Sequence, residues 1–344
     1  MAEQYKDLND LGEFGLIDHL AKPFEVSKNT NTLLGIGDDA AIIKISEDES
    51  MVISTDLLTE GVHFNLMYTP LKHLGYKAVA VNVSDIAAMN AVAEQITVSI
   101  AFSSKFPLEA IEELYKGIEL ACEAYNVDLV GGDTSTSYSG LTISITAVGR
   151  AKNEEITRRS GANEHDLLVV TGDLGGAYMG LQILEREKEV YKANPTIQPD
   201  LDGFDYIINR QLKPEARIDI VTLLKELDVV PTSMIDVSDG LASEILHLCK
   251  ASKVGCHVYD DKIPIDASTS MTAIDFEIDP ATTALNGGED YELLFTIKQT
   301  DYEKIVGNPN LTIIGHITNE ADGTYFIDKN GSAITLRAQG WKHI

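Results

Sequence analysis

The sequence predicts an α/β or α+β protein built from two domains. Three observations lead there. At roughly 150 residues per domain, the 344 residues are too many for one average unit. Short apolar runs alternate with longer amphipathic stretches in both halves, as strands alternate with helices. Between the halves, Gly149–Asp166 is polar and rich in charge. It is expected to join a unit of residues 1–150 to one of residues 151–344.

The elements follow in order. Residues 11–22 have the apolar spacing of an amphipathic helix. Leu33–Ile36, Ala40–Ile45 and Met51–Asp56 read as strands. Pro70 to Met89 reads as a long, mostly apolar helix, and Ile96–Phe102 as a strand. Proline at the first turn predicts a helix over Pro107–Tyr125. Val127–Val130 and Leu141–Val148 close the first half as strands. In the second half, Leu167–Thr171 is a buried strand and a helix opens at Gly175–Gly176. Tyr191–Asp202 contains two prolines and no clear period, so a surface loop is expected. Helices are expected near 203–211 and 215–227, then a strand ending at Asp236 and a helix starting around Asp239. Tyr291–Ile297 and Leu311–Ile317 read as later strands.

Composition excludes several classes. Acids outnumber bases 54 to 27, a net charge of −27. Such a chain does not grip nucleic acid or an anionic membrane through its overall charge. An anionic ligand would need a cation to screen it, and divalent metals are the obvious candidates. No apolar run approaches the ~20 residues of a membrane span. Met1 to Phe14 has several acids and no apolar core, unlike a secretory signal. Cys122, Cys249 and Cys256 are odd in number and not spaced for zinc, so no disulfide framework is expected. The expected compartment is the cytoplasm.

The informative feature is where the acids fall. Asp38 and Asp39 follow Gly35-Ile36-Gly37, and Asp56 ends a strand. Asp133 follows Val130-Gly131-Gly132; Asp236 and Asp239 bracket Val237-Ser238; Glu289 and Asp290 follow Gly287-Gly288. Taken singly, an aspartate after glycine is a common turn or helix cap. Asp85 has no such role, because it lies inside the apolar helix. Ionised carboxylates at the ends of apolar runs are costly unless paired or metal-bound. Lysine and arginine are scarce beside them in sequence. Magnesium is held by one or two carboxylates together with phosphates and waters. Acids converging on one cleft would therefore hold several such ions against a polyphosphate.

Absences narrow the chemistry. The dipeptide Gly-Lys of a Walker A loop does not occur, and neither does a Gly-x-Ser-x-Gly elbow or a His-Glu-x-x-His zinc motif. Gly35–Ala40 fits the loose dinucleotide fingerprint, but Ala41–Ile45 reads as a strand where that motif opens a helix.

Together these motifs closely resemble the thiamine-monophosphate kinase family, within the aminoimidazole ribonucleotide synthetase-like superfamily. The match rests on Leu34–Ala40, Ser54–Asp56, Gly61–Phe64, Asn82–Met89, Gly131–Thr134, Arg159–Gly161, Asp236–Leu241 and Gly287–Leu293, in that order. It runs from Gly12-Glu13-Phe14 to the C-terminal Gly340–Ile344. The resemblance implies magnesium-dependent transfer of the ATP γ-phosphoryl group to thiamine monophosphate. It also implies a homodimer whose N-terminal sheets close a barrel between subunits, with a C-terminal α/β domain completing the nucleotide cleft.

Residue by residue, the resemblance implies that Asp39, Ser54, Thr55, Asp56, Asp85, Asp133 and Asp236 are magnesium ligands, with Asp239 holding a further ion. Asp39, Asp56 and Asp85 would be catalytic through those ions. Ser54 and Thr55 would offer a hydroxyl or a carbonyl oxygen. Tyr115, Gly132, Asp133, Arg159 and Ser238 would line the ATP site, with Arg158 an alternative to Arg159. His63 and Glu289 would contact the thiamine phosphate, Glu289 at either the thiazolium or the aminopyrimidine. Trp341 and Ala338 compete for an aromatic position in the family's tail. Other readings are a different member of the superfamily, a non-catalytic nucleotide sensor, or a dinucleotide oxidoreductase.

Overall fold

The computed structural model describes residues 12–24 and 27–339; Trp341 lies outside them. Gly12–Ala21 (α1) precedes strands Thr32–Leu34 (β1), Ala41–Lys44 (β2) and Glu49–Thr59 (β3). Leu71–Ala88 (α2), Val92–Phe102 (β4), Leu108–Tyr125 (α3), Asp128–Thr136 (β5) and Thr142–Lys152 (β6) follow. They build a six-stranded sheet in the order β1-β2-β3-β6-β4-β5. Neighbours are antiparallel, except that α3 carries the chain from β4 to a parallel β5.

The second half contributes Leu167–Thr171 (β7), Gly176–Ala193 (α4), Asp205–Leu212 (α5), Ile218–Glu226 (α6), Ser233–Asp236 (β8), Leu241–Ser252 (α7) and Val254–Tyr259 (β9). Ala267–Asp275 (α8), Pro280–Asn286 (α9), Leu293–Ile297 (β10), Tyr302–Ile305 (α10), Leu311–Asn319 (β11), Thr324–Ile327 (β12) and Ala333–Thr335 (β13) complete it. Its sheet has seven strands, ordered β13-β12-β9-β11-β7-β10-β8. All neighbours are antiparallel except β9 and β12.

Helix α2 positions the site. Its residues are buried from Leu74 to Ser84 and again from Ile86 to Ala88. Val79, Val83 and Ile86 pack into the core of the first sheet. Ala87 and Ala88 pack with Val169, Met234 and Phe295 of the second. A helix buried on every side tolerates a polar group only where that group has a partner. This is why its few polar residues carry information.

The structure corrects several expectations. β6 continues to Lys152, so the first four residues of the expected connector are strand. α4 runs to Ala193 and takes the first turn of the expected surface loop. β5 does not stop at Val130 but continues through Gly131-Gly132-Asp133 to Thr136. Gly132 is glycine for a local reason: a Cβ there would lie 1.8 Å from the Val98 carbonyl oxygen of β4. The three cysteines are free thiols.

Candidate active site

Strand β3 alternates its side chains, so Ser54 and Asp56 share one face and Thr55 takes the other. The Ser54 hydroxyl donates to Asp85 Oδ2 on α2. One residue back, Ser84 Oγ donates to Asp236 Oδ2 at 2.6 Å, which joins α2 to the end of β8. Asn82 also serves the site: its Oδ1 accepts the Asp56 amide at 3.0 Å, while its Nδ2 donates to the Ala78 carbonyl. Two polar positions on one buried helix, Asn82 and Ser84, thus hold the acids of β3 and β8.

Carboxylate oxygens of Asp39, Asp85 and Asp236 lie within 4.8 Å of one another. Asp39 comes from the loop before β2, so three distant segments meet. Asp39 Oδ2 is buried and has no hydrogen-bond partner. Burial pushes the carboxyls up, and their mutual charge adds to it. Asp56 is raised to about 6, by burial and then by Asp39. Asp236 is raised to about 7, by burial and then by Asp39. Asp85 stands well above the ordinary carboxylate range, through burial and then Asp56, Asp236 and Asp39. A cluster of hard oxygen donors that repel one another suits a divalent cation of the magnesium type. The residues present therefore fit that ion.

One cation is closer than the sequence suggested. Arg159 Nη2 donates to Asp39 Oδ1 at 2.6 Å, and the Arg159 amide donates to Asp38 Oδ1 at 3.1 Å. Arg159, not Arg158, therefore reaches the acids; the Arg158 carbonyl accepts the Met234 amide in the sheet. Asp38 rises to about 6 through burial and the Asp39 charge, against the bonds from Arg159. The expected scarcity of basic partners fails for Asp39, because Arg159 lies 120 residues away in sequence. It fails as well for Asp38, Glu289 and Asp290, which pair with Arg159, Lys77 and Arg210, whereas among the described residues no ion pair joins Asp56, Asp85 or Asp236 to a base.

A cleft of about 1130 Å³ opens beside this cluster. Asp56, Asp85, Asp236, Ser238 and Asp239 line one part of it, and His63, Glu289, Tyr68, Tyr178 and Leu181 line others. His63 Nδ1 accepts the Thr59 amide at 3.0 Å, which puts the ring proton of the neutral imidazole on Nε2. The Asp239 amide donates to the buried Glu244 at 2.9 Å. The Ser238 carbonyl accepts the Glu289 amide at 2.7 Å. That segment is strained: Gly288, Glu289 and Tyr291 all have positive φ, at 73°, 57° and 53°. Left-handed backbone at non-glycine residues is held only where the surroundings over-determine it. Here the Tyr291 amide bonds to the Val237 carbonyl, and the Val237 amide to the Glu292 carbonyl.

Not every expected site residue joins this group. The Thr55 hydroxyl donates to the Ile145 carbonyl at 3.0 Å, across the sheet from the acids. Thr55 nonetheless lines the cleft. Asp133, Gly132 and Tyr115 line a separate depression of about 590 Å³ on β5, α3 and β4. Asp133 is exposed on the edge strand and is not brought beside Asp39, Asp85 and Asp236 within the chain. Residues the sequence reading missed include Asn82, Ser84 and Lys77. Their signal was available: each is a polar residue in a helix that otherwise reads as apolar.

This combination of folds and acids has known relatives. Residues 37–151, within the first half, match the family described as AIR synthase related protein, N-terminal domain, and the chain as a whole has an AIR synthase-like fold of two sheets. A thiamine-monophosphate kinase of Aquifex aeolicus (strain VF5) is 34% identical over 98% of this chain and 99% of that protein. One of Bacillus subtilis (strain 168) is 31% identical over 97% and 99%. A solved structure, AaThiL complexed with AMPPCP and TMP, superposes with a TM-score of 0.85 at 32% identity, covering 99% of both chains. The chain belongs to the thiamine-monophosphate kinase family.

Proposed function

We propose that this protein is a kinase that transfers the γ-phosphoryl group of ATP to thiamine monophosphate, giving thiamine diphosphate and ADP. The observation that carries this is the meeting of Asp39, Asp85 and Asp236 within 4.8 Å beside a large cleft. Full-length similarity to thiamine-monophosphate kinases supplies the substrate. It also places the reaction in thiamine diphosphate biosynthesis.

Asp39, Asp56, Asp85 and Asp236 would hold magnesium, with Ser54 and the Thr55 carbonyl beside them and Asp239 holding a further ion. Bound there, such ions would supply charge neutralisation and alignment of donor and acceptor phosphates. The chain's own residues prepare the setting. Ser54 and Ser84 fix the Asp85 and Asp236 carboxylates. The Arg159 guanidinium, braced by Asp39, faces the nucleotide phosphates together with Ser238. His63 Nε2–H donates to the phosphate of the acceptor. That acceptor is already ionised at neutral pH, so no side chain need remove its proton. The barrier to be lowered is repulsion between polyanions, about 4 kcal/mol for each pair of charges ~4 Å apart at an effective dielectric of ~20.

Tyr115, Gly132 and Asp133 are proposed to bind nucleotide from their separate depression. The units of residues 1–150 and 151–344 would act together as the first and second sheets. A homodimer through the N-terminal sheets is supported by the uncovered edge strand β5, with Leu129 and Val130 exposed. A cytoplasmic location fits a chain in which no described helix is long and apolar enough to cross a membrane. The test is direct. Protein incubated with ATP, magnesium and thiamine monophosphate should yield the diphosphate and ADP in equal amounts. ADP without the diphosphate, or neither product, overturns the reading.

A further inference from the structure

Lys77 is buried on α2, with its side chain only 3% exposed, and it forms an ion pair of 2.9 Å with Glu289 Oε1. Gln211 Nε2 donates to the other oxygen, Oε2, at 2.7 Å. Glu289 and Gln211 both line the cleft. The carboxylate is thus fixed from below, and its charge is already balanced by a cation of the protein itself.

Two features specify what can sit on it. First, a balanced ion pair has little net charge to offer, so it makes a weak seat for a cationic ring. Second, the cluster is short of donors. Each Glu289 oxygen keeps a lone pair, and Gln211 Oε1 is buried with no hydrogen-bond partner. A thiazolium nitrogen is alkylated and carries no N–H. An aminopyrimidine carries an amine with two.

Resting on the kinase reading above, we propose that Lys77 and Gln211 are positioning residues that make Glu289 an acceptor for the neutral pyrimidine amine of the substrate. Lys77 does this without touching substrate: its ammonium and the Gln211 amide take one lone pair of each Glu289 oxygen and fix the carboxylate, leaving the other lone pairs to accept. α2 links this task to phosphate binding. Lys77, Val81, Ser84 and Asp85 fall at i, i+4, i+7 and i+8, on one side of the helix. Eight residues at 1.5 Å each separate the ring seat from the acid cluster by ~12 Å along a single rigid element.

The experiment compares thiamine monophosphate with its analogue in which a carbonyl oxygen replaces the pyrimidine amine. Turnover is measured with ATP and magnesium, and affinity by calorimetry without ATP. The wild type should prefer the amine by at least ~100-fold in kcat/KM, since a site built to bond an N–H rejects a group that lacks it. In Lys77→Met, Glu289 loses the contact that fixes its orientation, and its acceptor oxygens are no longer aimed at the amine. The preference should fall below ~10-fold, with the change in KM rather than kcat, and Lys77→Arg should restore it. Gln211→Leu should lower the preference as well, and it decides the matter alone if Lys77→Met does not fold. An unchanged preference in the folded variants, or a wild type that phosphorylates both compounds equally, overturns the assignment. A wild type that phosphorylates neither overturns the kinase reading itself and this inference with it.

Discussion

The second half of the chain buries Asp290 and Glu292, and the cleft gathers Asp39, Asp85 and Asp236, yet the two groups are balanced in opposite ways. Glu292 accepts from Arg210 Nη1 at 2.9 Å, Arg217 Nη1 at 2.5 Å and Thr171 Oγ1 at 2.5 Å. Asp290 accepts the Gly175 and Ala177 amides at the start of α4, at 2.7 and 3.3 Å. Each of these four carboxylate oxygens has a local partner, so the group serves the fold. In the cleft one guanidinium faces a cluster of acids, and one carboxylate oxygen is orphaned. Charge that is internally matched is structural, whereas charge left in deficit is kept for a ligand.

The contrast can be broken most forcefully by exchanging Asp for Asn on one side and Glu for Gln on the other. Asp85→Asn should lower turnover by roughly 10³-fold or more, with the ion-free fold no less stable, because it removes a repelling charge. Glu292→Gln should do the reverse, costing about 2–3 kcal/mol of stability, because it removes the charge that Arg210 and Arg217 share. Steady-state kinetics and urea unfolding of both variants check this pair. An Asp85→Asn enzyme that keeps full activity would leave the acid cluster without its assigned role.

A second, smaller difference is in pH response. Asp38 and Asp56 at about 6, and Asp236 at about 7, hold protons that the unfolded chain, at the ordinary 3.8, has lost. Between those values the native state binds more protons, so the cluster's contribution to stability falls as pH rises from about 4 to about 7. Magnesium competes for the same oxygens, so it should raise the melting temperature more at pH 8 than at pH 5. Thermal scans with and without the ion test this. An equal shift at both pH values contradicts it.

The smallest effect sharpens the boundary of the site. Thr55→Val removes a hydroxyl bonded to Ile145 on the far face of β3. Activity should stay within about twofold, and stability should drop by about 1 kcal/mol for the lost hydrogen bond. Ser54→Ala, on the near face, frees Asp85 and should cost more activity than Thr55→Val. Equal effects on activity from the two would mean that the alternation of β3 does not decide which hydroxyl matters.

Much of this was legible in the sequence. β7 falls on Leu167–Thr171 as expected, because a short apolar run has few other fates. Asp85 was legible because a carboxylate inside an apolar helix needs a partner. Asn82, Ser84 and Lys77 carried the same signal, but the acid drew it. The pairing of Arg159 with Asp39 was hidden, since sequence distance does not report folded distance. Gly131-Gly132-Asp133 has the composition of a turn; only the close approach of β4 reveals it as strand. α8 and α9 lack apolar periodicity, and their legible marks were caps: Asp266 and Asp279 accept the Ser268 and Ala281 amides.

The Ser84–Asp236 bond has a mechanical corollary. It welds the helix beneath the first sheet to the last residue of β8, and the Arg159–Asp39 clamp rivets a second point nearby. Swinging the sheets apart like a clamshell would shear both joints and scatter the acids before any guest arrived. Movement confined to the rim of the cleft would keep both joints and leave the acids where they are.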